Sequence, residues 1–136
     1  MSLAVIVKQL KHTLANQSNI LFAYLHGSAL LSEKPQDIDV AVYLVSEAFN
    51  TLQAKAELSF GFAIPLEMEL EKKLQKRADI QVINRAPLSF RYRVISNGRI
   101  IIDNDGNKRS DFEYLTRVEY FDFSPRHKEY LREVIA

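Results

Sequence analysis

Cysteine and tryptophan are both missing from the 136 residues. Without cysteine there is no disulfide scaffold, no thiolate zinc site and no cysteine nucleophile, so any metal must be held by oxygen or imidazole. An excess of charge is also lacking: eighteen Lys and Arg stand against seventeen Asp and Glu, a net charge of +1. The chain as a whole therefore carries no field that would draw it to nucleic acid or a membrane surface. Apolar runs such as Ile38 to Val45, with Asp39 inside it, fall far below the roughly 18 residues of a membrane span. The N-terminus has no basic stretch followed by an apolar block. These absences predict a cytoplasmic chain with no membrane association and no direct nucleic-acid binding. No fixed-period repeat or low-complexity tract is present. With 47% hydrophobic and 26% charged residues, residues 1–136 read as one globular domain with a helical, aromatic-rich tail from about residue 108.

Ser2 is placed to cap a first helix in which Leu3, Ile6, Val7, Leu10 and Leu14 share one face. Ile20 to Leu25 and Ile38 to Val45 read as strands, the second rich in β-branched residues. Both are too uniformly apolar for burial on one side only, which predicts helices over the sheet. Ser46 and Glu47 suit the cap and first turn of a further helix, interrupted by Gly61 and Pro65 before a charged helix resumes from Leu66 to Arg77. Asp79 to Ile83 reads as a third strand, Pro87 to Asn97 as a helix closed by Gly98, and Arg99 to Asp103 as a fourth strand. Asn104 to Asn107 signals a turn. In the tail, Phe112, Leu115 and Val118 recur at helical spacing, Pro125 breaks the pattern and Lys128 to Val134 restarts it. Alternating strands and helices of this kind predict an α+β or α/β domain with a small mixed sheet flanked by helices.

Asp37 and Asp39 interrupt an otherwise apolar strand. Residues two apart on a strand project from one face, about 6.5 to 7 Å apart along the chain. Two carboxylates there repel each other unless solvent or a cation intervenes, and Mg²⁺ is commonly held by one or two carboxylates together with substrate phosphates. Upstream, Gly27 and Ser28 directly follow a strand and supply the close backbone approach and the hydroxyl that a phosphate needs. A third carboxylate, Asp79, lies on the next strand, where a mixed sheet can bring it beside the other two. Three such groups make a clamp for in-line attack on a phosphoryl group, and the third can act as the base.

The order Gly27-Ser28, eight residues, Asp37-Ile38-Asp39, then Asp79-Ile80-Gln81-Val82-Ile83-Asn84 resembles the minimal nucleotidyltransferases of the DNA polymerase β-like superfamily. Asn84-Arg85-Ala86-Pro87, Val94 to Arg99 and Tyr120-Phe121-Asp122-Phe123 resemble the MNT-type antitoxins paired with HEPN-domain ribonuclease toxins. The resemblance runs from about Leu3 to Leu131. It implies the polymerase β-like fold, ATP with Mg²⁺ at Gly27, Ser28, Asp37 and Asp39, and AMP transfer to a tyrosine of the partner toxin. Asp37 and Asp39 would hold metal, and Asp79 would complete the metal site as its third carboxylate and activate the tyrosine. The family commonly has about ten residues in the loop, with an Arg-Gly pair after the serine; this chain has eight, with Leu30-Leu31 there. Its alternative reading is a silent relative that neutralises the toxin by contact. A homodimer would also be compatible, and would supply the acceptor pocket that transfer to a small molecule requires.

His26 precedes the Gly-Ser turn, where a structural role is the expectation. Glu67, Glu69 and Glu71 ahead of Lys72, Lys73, Lys76 and Arg77 predict i to i+4 ion pairs on a solvated helix face. Tyr114, Tyr120, Phe121, Phe123 and Tyr130 predict a tail divided between core and interface. Arg91 and Arg93 are read as surface residues outside the site.

Overall fold

A computed structural model describes residues 1–135, with residues 124–128, 130, 131, 134 and 135 described by their backbone alone. Helix α1, Leu3–Ala15, begins where the Ser2 hydroxyl accepts the Val5 amide at 3.3 Å, and Ile6, Val7, Leu10 and Leu14 are buried on its inner face. Strand β1, Ile20–His26, leads into a 3-10 turn over Gly27–Leu31 and then β2, Asp37–Leu44. Helix α2, Ser46–Leu52, precedes a π-helical segment at Glu57–Ala63 and helix α3, Ile64–Leu74. Strand β3 is Arg77–Val82, α4 is Leu88–Asn97, β4 is Arg99–Asp103 and α5 is Gly106–Ile135.

The four strands form one mixed sheet in the order β3-β2-β1-β4. β1 is antiparallel to both β2 and β4, whereas β2 and β3 run parallel. Side-chain alternation divides the core between the two faces of the sheet. Leu25, Ile38, Val40, Val42 and Ile80 pack with α1 and α3 through Leu10, Leu14, Leu66, Leu70 and Leu74. Phe22, Tyr24 and Ala41 pack on the other face with Val94 and Ile95 of α4 and Phe112 of α5. Helices cover both faces, as the apolar strands required. Each fully buried Leu or Ile contributes about 1.5 to 3 kcal/mol. Asn84 fastens the end of β2: its amide oxygen accepts the Leu44 N–H and its amide nitrogen donates to the Leu44 carbonyl, each at 2.9 Å. No helix among the described residues is long and apolar enough to cross a membrane.

Several boundaries differ from the sequence expectation. Ser46 is the first helical residue rather than the cap, which is Val45 without a side-chain hydrogen bond. Gly61 and Pro65 do not interrupt the chain's helical course. The π-helical segment runs directly into α3, and Pro65 is the second residue of that helix, where its fixed φ is already a helical one. That helix ends at Leu74 rather than Arg77, because Gln75 takes the left-handed conformation at φ 55° and terminates it. Strand β3 consequently starts at Arg77, so Asp79 is its third residue. Asp105 serves as a cap, its carboxylate accepting the Lys108 amide at 3.0 Å, and α5 starts inside the expected turn. Pro125 does not break α5, which continues through it; a proline removes one hydrogen bond from a helix already propagating on both sides. Of the tail aromatics, Phe112 packs on the sheet and Tyr120 stacks on Tyr92 at 3.7 Å, whereas Tyr114, Phe121 and Phe123 are exposed. The Tyr130 side chain lies outside the described residues.

Candidate active site

The parallel register of β2 and β3 sets Asp39 directly opposite Asp79, and the antiparallel register of β1 and β2 sets His26 opposite Asp39. Neighbouring strands lie about 4.8 Å apart, so these three residues form one row across three strands. Strand parity puts Asp37, Asp39, Asp79 and Gln81 on the face that α4 and α5 cover farther along. At this end the sheet is open, and Ser28, Asp37, Asp39, Asp79, Glu67 and Glu71 line a pocket of ≈ 570 Å³ together with one cation, Arg77. All three sequence-predicted carboxylates and Ser28 are thereby brought together. Gly27 takes φ +78°, and a Cβ there would stand 2.7 Å from Asp39 Oδ2. Only glycine lets the backbone pass this close to the carboxylate.

Gln81, which the sequence reading passed over, ties the row together. Its Nε2 donates to Asp79 Oδ2 and, at 3.5 Å, to Asp39 Oδ1. Its Oε1 lies 2.8 Å from His26 Nε2. Since the amide nitrogen faces the carboxylates, the oxygen faces His26, and Nε2 is the protonated ring nitrogen. The signal for Gln81 was present in the sequence: it is two residues beyond Asp79 on one strand, hence on the same face.

Glu67 was expected in an i to i+4 ion pair. The helix forms one of those pairs, Glu69 with Lys73 at 3.2 Å, but Glu67 turns to the sheet edge, where its Oε2 accepts the Ile80 N–H at 2.7 Å. β3 is an edge strand, so this carboxylate satisfies an amide that has no strand partner. Burial raises the Glu67 pKa above the ordinary carboxylate value, helped by a hydrogen bond with Asp79 and its charge, while the Ile80 amide opposes the rise. Nothing local in the sequence disclosed this contact, which depends on how α3 lies against β3.

A larger cleft of ≈ 860 Å³ adjoins the acidic pocket and shares Asp39 with it. His26, Gly27, Leu30 and Leu31 form one wall, and Phe90, Arg93, Ser96 and Asn97 of α4 form the other. His26 meets the Phe90 ring edge-on at 5.6 Å. Arg91, by contrast, is structural: it donates to the Ala86 carbonyl at 2.8 Å and pairs with Glu119 of α5 at 3.3 Å.

Among the described residues, no Lys or Arg forms an ion pair with Asp37, Asp39 or Asp79, and no three acidic or imidazole groups converge to hold a metal as they stand. The donors are carboxylate oxygens alone. That set does not make an all-protein cage, but it fits Mg²⁺, which completes its shell with water and substrate phosphates.

The polymerase beta nucleotidyltransferase family matches residues 8–107. The chain belongs to that family. Solved structures with the same fold cover nearly all of this chain. One, a toxin-antitoxin pair named MntA-HepT, is 17% identical with a TM-score of 0.66, over 98% of this chain and 99% of that one. Another, a tri-AMPylated Shewanella oneidensis HEPN toxin in complex with MNT antitoxin, is 17% identical with a TM-score of 0.71, again over 98% and 99%. A third, a toxin-antitoxin structure with AMP-PNP, is 17% identical with a TM-score of 0.71, over 96% and 98%. At this identity the likeness establishes the fold, a polymerase β-like nucleotidyltransferase fold. No curated protein matches the chain.

Proposed function

We propose that this chain is a Mg²⁺-dependent nucleotidyltransferase that transfers AMP from ATP to a tyrosine of a partner HEPN toxin, and that it acts as that toxin's antitoxin. The observation that carries the reading is the facing of Asp39 and Asp79 across parallel strands, with Asp37 and the Gly27-Ser28 turn beside them. Membership of the nucleotidyltransferase family supports the reaction class. The neighbours that contain a HEPN toxin, an AMPylated toxin and AMP-PNP support the partner, the modification and the nucleotide.

Gly27 and Ser28 bind the phosphates through backbone N–H groups and the hydroxyl. Asp37 and Asp39 would hold Mg²⁺, which when bound would neutralise phosphate charge. Asp79, exposed at the edge of the pocket, takes the proton from the tyrosine hydroxyl. The phenolic oxygen forms a bond to the α-phosphorus, the bond from that phosphorus to the α,β-bridging oxygen breaks, and pyrophosphate leaves with the electron pair. Positioning and charge stabilisation supply most of the rate.

Co-expression tests the claim that neutralisation is catalytic. Wild type should relieve growth arrest by the partner toxin and the Asp37→Asn, Asp39→Asn double variant should not. Equal relief by the double variant would show an antitoxin that works by contact alone.

A further inference from the structure

The loop from Ser28 to Asp37 contains no arginine, and its one cation, Lys34, lines neither cleft. A polyphosphate brought beside Asp37, Asp39 and Asp79 nevertheless needs positive charge on its other flank. Arg77 lines the acidic pocket with the carboxylates, and Arg93 is the one Lys or Arg among the residues that line the larger cleft, facing Gly27 and Asp39 across it. It is exposed, and among the described residues no carboxylate forms an ion pair with it.

Its position is defined by a series of contacts that ends at the carboxylate row. The Arg93 guanidinium lies 5.7 Å from the centre of the Phe90 ring. Phe90 meets His26, His26 hydrogen-bonds Gln81, and Gln81 bridges Asp39 and Asp79. A guanidinium resting on an aromatic face keeps its N–H fork free and loses less freedom on binding. Ser96 and Asn97, three and four residues on along α4, line the same cleft and add neutral hydrogen-bonding groups. Leu30 and Leu31 offer apolar surface on the opposite wall.

We propose that Arg93 binds the polyphosphate of the nucleotide, so that the cleft between the 3-10 turn and α4 is the nucleotide cleft and α4 supplies the cation that the shortened loop lacks. This assignment rests on the nucleotidyltransferase reading. Guanidinium–phosphate contacts are charge-assisted and frequently bidentate, so loss of Arg93 should act on nucleotides in proportion to their phosphates.

Calorimetric titration of the full chain with ATP, ADP and AMP in Mg²⁺ tests it, with melting temperatures confirming that each variant is folded. Arg93→Ala should raise the Kd for ATP about tenfold or more and leave AMP within about twofold. Arg93→Lys should recover part of the loss, since it keeps the charge without the fork, and Lys34→Ala should match wild type. Equal affinities of wild type and Arg93→Ala for ATP would overturn the assignment while leaving the transfer reaction standing. Arg93-dependent ATP binding without AMP transfer to the toxin would keep the assignment and remove the adenylylation reading. A wild type that binds no ATP would overturn both.

Discussion

Gly27 and Asp39 occupy adjoining space with no room for a side chain between them, since a Cβ on Gly27 would stand 2.7 Å from Asp39 Oδ2. Gly27 also sits at φ +78°, which costs an L-residue about 1 to 2 kcal/mol. Gly27→Ala should therefore lower stability by about that amount in urea unfolding. It should also slow AMP transfer by about 10²-fold, because it displaces a carboxylate at the reacting centre. Wild-type stability and rate together would mean that the turn can move without moving Asp39.

Asp79 lies across from Asp39 but is assigned the proton rather than the nucleotide. Asp79→Asn should reduce kcat by about 10² to 10⁴-fold while changing the KM for ATP little. Steady-state transfer kinetics separate the two parameters. A rise in KM with unchanged kcat would make Asp79 a binding residue.

Gln81 acts through the carboxylates that it bridges. Replacing it by leucine removes the amide between Asp39 and Asp79 and leaves His26 Nε2 without its acceptor. Gln81→Leu should lower transfer by about 10 to 100-fold, the usual effect of losing a group that orients metal-site ligands. Gln81→Glu should be the worse variant, since it adds a carboxylate to a row that already repels itself. Full activity in Gln81→Leu would show that Asp39 and Asp79 hold their positions unaided.

The raised pKa of Glu67 has a definite sign for stability. A carboxyl group that binds its proton more tightly when folded makes the protein lose stability as pH rises from the ordinary carboxylate pKa to the raised one, with no further change above. Glu67→Gln keeps an oxygen to accept the Ile80 amide and has no proton to lose. Relative to wild type, the variant should gain stability as pH rises through that window and hold the gain beyond it. Urea unfolding at a series of pH values without divalent metal measures this, and a difference independent of pH would contradict it.

Much of the sheet was legible because its strands are short apolar runs bounded by Gly, Asn and Asp, and α1 because one face repeats at helical spacing. The Gly27-Ser28 turn and the Asp37, Asp39 pair were legible for a local reason: polar residues interrupt apolar strands at the period of a strand. Asp79 could be placed near them from strand order, but its register against Asp39 follows from parallel pairing, which no local pattern encodes. Glu67 was misread because it lies on a helix whose charged face looked solvated, whereas Arg93 is the exposed residue expected and stands on a cleft wall that no local pattern discloses. Their roles come from the packing of α3 against β3 and from the cleft between α4 and the 3-10 turn. The helix boundaries at Pro65 and Pro125 were misplaced because proline was read as a stop, whereas helical turns on both sides carry the backbone through it.

The central claim is that the three carboxylates transfer AMP to a protein. Its most direct test is incubation of the partner HEPN toxin with ATP labelled at the α-phosphate and Mg²⁺, with wild type and the Asp37→Asn, Asp39→Asn variant side by side. Label should appear on the toxin with wild type and be absent with the variant. A stable complex of the two proteins with no label on the toxin in either reaction would contradict the account.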